Sequence, residues 1–308
     1  MKFAGALTTI ATGCALTIAG LGNAQAQTQA QAQEQSATLK KIRDTGVISL
    51  GVRESSVPFS YYDENQNTIG YSQAIALKIV DEIRKELKRP DIKVKEIPIT
   101  SQNRIPVVQN GTIDIECGST THTKERDNQV AFSNSFFQYG VRMIVKKSSG
   151  VKDFSDLAGK TVVTTAGTSE ERLLRQMNVE KGMKMSVISA KDHAESFLNV
   201  KSGRAVAFVM DDPLLYGARA KEADPDDYLI TGTPPMSEVY GCMFRKDDPG
   251  FKTLVDGVIV RLQKSGEAAS MYQTWFMQPI PPKGINLNYP LSADMKSLFA
   301  NPNDRALD

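Results

Sequence analysis

An α/β fold made of two successive strand–helix alternating units is what this 308-residue sequence predicts. Three observations lead there. Short apolar runs alternate with stretches whose apolar residues recur at helical spacing, the pattern resets near Val130 after one βαβαβ unit, and the length allows two domains of ordinary size.

The N-terminus reads as a targeting segment. Lys2 gives a positive start, residues 3–21 are apolar with small residues and Thr, and Ala24-Gln25-Ala26 fits the cleavage pattern of a secretory signal peptide. Residues 1–26 are therefore expected to be removed and the product exported. Cys14 sits mid-hydrophobic region behind Ala11, where a lipid-attachment box would want a larger aliphatic residue. Residues 27–37, QTQAQAQEQSA, hold one charge and no aromatic, so they predict a flexible tether.

Gly46–Val52 (GVISLGV) predicts the first strand, and Ala76, Ile79, Val80, Ile83 and Leu87 recur at the spacing of a helix with one buried face. Ile92–Ile97 is the second strand. Ser101 is placed to cap a helix through Val108 that Asn110-Gly111 stops, and Thr112–Cys117 is the third strand. After the reset, Gln138–Lys146 and Thr161–Thr165 predict strands, and Gly167-Thr168-Ser169-Glu170 turns into a helix holding Leu173 and Leu174. A strand (Met185–Ile188), a helix (Asp192–Val200), a strand (Ala205–Met210) and a helix (Pro213–Ala220) follow. Tyr240–Phe244 returns as a strand. Phe251, Leu254, Val255, Val258, Ile259 and Leu262 then mark an amphipathic helix, and a helical pattern at Ala268–Phe276 precedes a Pro-rich tail.

Composition excludes several functions. Without residues 1–26, 36 basic and 35 acidic residues remain, a net charge of +1 that argues against nucleic acid or an anionic membrane as the main partner. No later stretch approaches the roughly 18 consecutive apolar residues of a membrane span. His122 and His193 are the only histidines, and HExxH, GxSxG, Walker A and GxGxxG are absent after the signal, so no metal and no cofactor is expected. Cys117 and Cys242, an even pair far apart in an exported chain, suggest one long-range disulfide or two buried thiols.

Open α/β sheets bind ligands at the carboxyl ends of their strands. The residues there are Arg53, Ser101 and Arg104, the run Ser119 to Arg126, Thr168-Ser169, and Asp211. Cationic, hydroxylic and acidic groups thus recur at several strand ends, which marks those ends as the candidate site.

GVRESSVPFSYYD, ITSQNRIPVVQNGTIDIECGSTTHTKER, SAKDHAESF, SGRAVAFVMDD and YGCMFRKDDP closely resemble the periplasmic glutamate/aspartate-binding proteins of ATP-driven amino acid importers, of the solute-binding protein family 3. The likeness runs from about Leu39 to the C-terminus. It implies a type II two-lobed fold, two α/β lobes joined by two crossings, with residues 38–137 and 240–308 as the first lobe and 138–239 as the second. The implied protein is a monomeric periplasmic receptor, not an enzyme, that hands L-glutamate or L-aspartate to an inner-membrane ABC permease. The implied sheet order lays TIDIEC beside YGCMF, which would pair Cys117 with Cys242.

Matching the family's motifs residue by residue assigns roles. Ser119 and Thr121 would take the ligand's ammonium and Arg126 its α-carboxylate, a task suited to a planar fork that forms two parallel charge-assisted bonds. Thr168 and Ser169, at a helix start with free N–H groups, would bind the same carboxylate; relatives often have Thr where Ser169 stands. Asp211 would neutralise the ammonium. Arg53, Ser101, Arg104 and His193 would surround the side-chain carboxylate, and relatives that carry basic amino acids tend to have an acid at the position matching Arg53. Three arginines against Asp211 leave two positive charges, suited to two carboxylates and one ammonium.

A cleft enzyme of the same fold, a dehydratase acting on prephenate or arogenate, is the competing reading. It needs a general acid with a pKa near the working pH. Asp211 is the one pocket carboxylate that the motifs name, and nearby arginines are expected to push its pKa down.

Overall fold

The computed structural model describes residues 36–307; the expected signal segment and residues 27–35 of the expected tether lie outside them. The chain enters with α1 (Ala37–Thr45), whose cap Ser36 accepts the Leu39 N–H. Ser36 and Ala37 are therefore structured, inside the segment that composition assigns to a tether. Tertiary contacts decide this: Leu39 and Ile42 are buried, and the Thr38 N–H donates to Asp248 at 2.9 Å, a partner 210 residues away.

β1 (Val47–Val52) is followed by a small sheet of β2 (Ser55–Ser56), β3 (Ser60–Tyr62) and β4 (Thr68–Ile69). Next come α2 (Tyr71–Glu86), β5 (Lys93–Pro98), α3 (Arg104–Gln109), β6 (Ile115–Glu116), the short α4 (Lys124–Asp127) and β7 (Ala131–Lys146). Then follow β8 (Thr161–Thr165), α5 (Ser169–Glu180), β9 (Ser186–Ala190), α6 (His193–Lys201), β10 (Ala207–Asp211), α7 (Asp212–Ala220) and β11 (Tyr228–Thr231). The chain closes with β12 (Ser237–Phe244), α8 (Pro249–Lys264), α9 (Glu267–Phe276) and α10 (Ala293–Ala300).

Among the described residues the large sheet has nine strands in the order β5-β1-β6-β12-β7-β10-β8-β9, with β11 also paired to β7. β1, β5 and β6 are parallel, as are β8, β9 and β10, so two parallel groups flank an antiparallel centre. That centre is β7, sixteen residues long. Its first part pairs with β12 (Ala131↔Phe244 through Gly140↔Ser237), and its last part, from Val141, pairs with β10 and β11. The fold is thus α/β with mixed, mostly parallel sheets flanked by helices, as the sequence predicts.

The expected third strand shrinks to Ile115–Glu116, and the cap of α3 is Asn103 in place of Ser101. β11, α10 and the small sheet come from segments with no clear apolar period. Phe59, Tyr71, Phe137, Tyr240, Tyr272 and Phe276 form a buried aromatic cluster, with contacting ring centroids 4.4–6.3 Å apart. Phe59 and Tyr61 are both fully buried, and the Tyr61 hydroxyl donates to the Pro281 carbonyl. No helix among the described residues is long and apolar enough to cross a membrane.

Candidate functional site

Every residue that sequence places at the site is buried at the carboxyl end of a parallel strand, or in the loop or helix that follows it. Arg53 follows β1; Ser101 and Arg104 follow β5; Ser119, Thr121 and Arg126 follow β6. From the other parallel group come Thr168 and Ser169 after β8, His193 after β9, and Asp211 at the end of β10. The two groups of strand ends face one another across the central strands.

The arginines form one wall. Arg53, 2% exposed, donates from Nη2 to Ser101 Oγ at 2.9 Å, and that nitrogen lies 3.4 Å from His193 Nε2. Nδ1 of His193 is 2.8 Å from Thr165 Oγ1. Burial, then the charges of Arg53 and Arg104, hold the His193 pKa well below its usual value, so the ring is neutral at pH 7. Arg104, 1% exposed, donates from Nη1 to the Ser119 carbonyl (3.1 Å) and to Thr120 Oγ1 (2.7 Å), which in turn donates to Glu116 Oε2 at 2.6 Å. Arg53 Nη1 and Arg104 Nε are buried donors without a hydrogen-bond partner among the described residues. Orphaned cationic donors in a buried site fit an anionic ligand.

The hydroxyl loop adjoins that wall, since Arg104 bonds Ser119 and Thr120. Arg126 donates from Nη1 to the Thr121 carbonyl at 2.7 Å and from Nη2 to the Gly167 carbonyl at 3.2 Å, reaching from one parallel group to the other. Gly167 permits this: its φ is +77°, and a Cβ there would stand 2.6 Å from Gln102 Cα. Thr168 is the cap of α5, accepting from the Glu171 N–H, while Ser169 Oγ lies 3.2 Å from Thr121 Oγ1. The α5 N-terminus, Thr121 and Arg126 therefore converge, an arrangement suited to a carboxylate. Ser101, Arg126, Thr168 and Ser169 also line a 370 Å³ cleft that opens from the site.

Sequence reasoning missed the carboxylates. Glu170 and Glu238 join Asp211 in a buried group, with one oxygen of each within 4.8 Å of the others, and Glu116 lies buried beneath Gly118. Asp211 also accepts from the Tyr240 hydroxyl, and Glu238 from Tyr139 at 3.0 Å. The expectation that arginines lower Asp211 is overturned: burial, with Glu238 and Asp212 nearby, pushes it up to about 7. Glu238 is pushed up to about 8 by burial and by Glu170, and Glu170 is raised well above the usual range by burial and by Asp211. The count of three arginines against one acid is likewise corrected to three arginines and four acids. Glu170 hides in sequence because an acid in a first helical turn is ordinary. Glu238 lies outside the apolar run Tyr240–Phe244 that predicts the strand, because β12 extends back to Ser237.

Cys117 and Cys242 form a disulfide, which fixes the start of the hydroxyl loop to β12. His122, given no role by the sequence, stacks on Phe132 and bonds Asp127.

Residues 48–278 match the family model described as bacterial extracellular solute-binding proteins, family 3. The chain is 55% identical over 274 residues to an L-glutamate/L-aspartate-binding protein of Pseudomonas aeruginosa, covering 89% of this chain and 91% of that one. It is also 55% identical over 272 residues to a glutamate/aspartate import solute-binding protein of Escherichia coli, covering 88% of this chain and 90% of that one. Among solved structures, an arginine-bound ancestral arginine-binding protein superposes with a TM-score of 0.68 at 27% identity, over 75% of this chain and 98% of that one. An ancestral amino acid-binding protein, a precursor of cyclohexadienyl dehydratase, superposes with a TM-score of 0.67 at 28% identity, over 78% of this chain and 99% of that one.

Proposed function

Since the chain belongs to the bacterial extracellular solute-binding proteins of family 3, we propose that it is the receptor of an ATP-driven importer that captures L-glutamate or L-aspartate. It is a binding protein and not an enzyme, as are the relatives that share 55% of its residues by their names. The observation that carries the choice of an acidic ligand is the pair of buried guanidinium groups, Arg53 and Arg104, each with an unpartnered donor. A basic ligand would add charge to that wall, and a neutral one would leave it uncompensated.

In this reading the side-chain carboxylate of the ligand meets Arg53, Ser101, Arg104 and neutral His193. Its α-carboxylate takes Arg126 and the α5 N-terminus at Thr168 and Ser169, and its ammonium takes Asp211, Ser119 and Thr121. Residues 38–137 with 240–308 act as one lobe and 138–239 as the other. The lobes close on the ligand as rigid bodies about crossings near residues 137 and 240. The receptor works in the periplasm after export by its N-terminal signal, as a monomer, and delivers its cargo to an inner-membrane permease.

Calorimetric titration with the twenty amino acids tests the assignment. Heat of saturable binding with glutamate and aspartate, and none with lysine or arginine, is the expected outcome. A preference for any basic amino acid would overturn it. Incubation with prephenate or arogenate should give no product, which disposes of the dehydratase reading.

A further inference from the structure

The buried carboxylates raise a problem of charge. With all four ionised, three arginines leave the site at net −1, the same sign as a dicarboxylic amino acid. A second observation bears on the same residues. Thr121 Oγ1 contacts Tyr139 OH (2.8 Å) and Ser169 Oγ (3.2 Å); Glu238 Oε2 contacts Tyr139 OH (3.0 Å) and Ser169 Oγ (3.1 Å); Glu170 Oε1 contacts Ser169 Oγ (3.3 Å). Those five contacts share the three hydroxyl protons of Thr121, Tyr139 and Ser169. Glu170 Oε2 and Asp211 Oδ1 are buried without a hydrogen-bond partner among the described residues, and carboxylate oxygens of the two residues lie within 4.8 Å of one another, so a proton on one of them would serve both. Two carboxyl protons supply most of what is lacking.

We propose that Glu170 and Glu238 are specificity residues of the ligand site that act as neutral acids: their protons leave the site with one net positive charge, matched to the single net negative charge of a dicarboxylic amino acid. The inference rests on the reading of this cleft as a dicarboxylic amino acid site and deepens it. Glu170 is the proton donor toward Asp211, which stays ionised for the ammonium, and Glu238 donates into the Tyr139–Ser169 pair. The other titratable or charged groups that face the three acids are Arg126 from α4, Tyr139 from β7, Tyr240 from β12 and Asp212 from α7. Arg53, Arg104, Glu116 and His193 complete the site's charged and titratable lining. Burial raises Glu170 and Glu238, consistent with protons held on both at neutral pH.

The consequence is a preference that depends on pH. As the protons leave, negative charge accumulates in the site and penalises glutamate, while glutamine, with the same ammonium and α-carboxylate, is spared. The experiment measures the glutamate-to-glutamine affinity ratio by competition between about pH 6 and about pH 9, which brackets the value near 8 for Glu238. In the wild type the ratio should fall roughly tenfold to a hundredfold, the scale of one unit charge several ångströms away at an effective dielectric of about 20. In the E170Q/E238Q variant, whose amides are neutral throughout, the fall should be lost. If that variant does not fold, E238Q alone gives the same comparison. An unchanging wild-type ratio, or an equal fall in the variant, overturns the proposal, as does loss of the preference in the variant at the acid end. Failure of glutamate to bind the wild type at any pH would instead remove the underlying reading of the site.

Discussion

Replacing Arg53 with Met separates recognition of the ligand's side chain from recognition of the groups that all amino acids share. The Arg53 guanidinium is 2% exposed and spends one nitrogen on Ser101 Oγ at 2.9 Å, while Nη1 has no partner among the described residues. Truncating one member of a buried charge pair costs ~2–5 kcal/mol of binding. Arg104 stays beside the same carboxylate, so the lower half of that range applies, a loss of glutamate affinity of roughly 30- to 300-fold. Glutamine loses only a hydrogen bond between a charged donor and a neutral acceptor. The glutamate-to-glutamine ratio should therefore drop by about tenfold. Met occupies the space of the aliphatic stem, and Arg53 is itself held below its usual pKa by burial, so folding should survive the change. Titration calorimetry with both ligands gives the ratio, and Arg126→Ala serves as the contrast because it should abolish both. A ratio in Arg53→Met equal to that of the wild type would show that Arg53 does not read the side chain, and the argument for an acidic ligand would lose its chief support.

Three further outcomes are expected. A Cβ at Gly217, in α7, would stand 2.3 Å from the Val57 carbonyl oxygen, so Gly217→Ala should hold the two halves apart. Its glutamate affinity should fall at least tenfold while its helix is stabilised by ~1 kcal/mol, and small-angle scattering should show a ligand-saturated radius larger than that of the wild type. Cys117→Ser with Cys242→Ser opens a ring of sequence separation 125 and should cost about 4–5 kcal/mol in denaturant unfolding; a loss under about 1 kcal/mol would contradict it. Glu238 has a raised folded pKa of about 8, so its contribution to stability is fully present below the usual carboxylate range and lost as pH rises to about 8. The ligand-free wild type should lose stability relative to Glu238→Gln across that interval, and parallel curves would refute the burial of a protonated acid.

The elements with a strong apolar period were legible. Thr161–Thr165 is reproduced to the residue, and the Ala76 to Ile83 stripe lies on α2, with Leu87 as its C-terminal cap. β7 was half seen, because only its last part, buried between β10 and β11, reads as a plain apolar run, whereas Ala131–Gln138 mixes Ser, Asn and Gln whose neighbours lie far away in sequence. The hydroxyl and arginine residues were found because they follow strands, but Glu170 and Glu238 were not. Their importance comes from meeting across α5, β10 and β12, and no local pattern reports which distant strand an acid will face. Asp211 shows the same limit in its proton affinity: the arginines are visible in sequence, but the burial that outweighs them is not.

The link between Cys117 and Cys242 also decides how force would pass through the molecule. Residues 118–241 hang inside a covalent ring, and that ring holds all of β7 to β11. Tension applied at residues 36 and 307 travels across the sulfur bridge and bypasses them. Pulled from its ends, the oxidised chain can lengthen only by the residues outside the ring, so the β8–β10 half stays folded under load. After reduction the full contour becomes available, and the extra length released reads out the redox state of a single molecule.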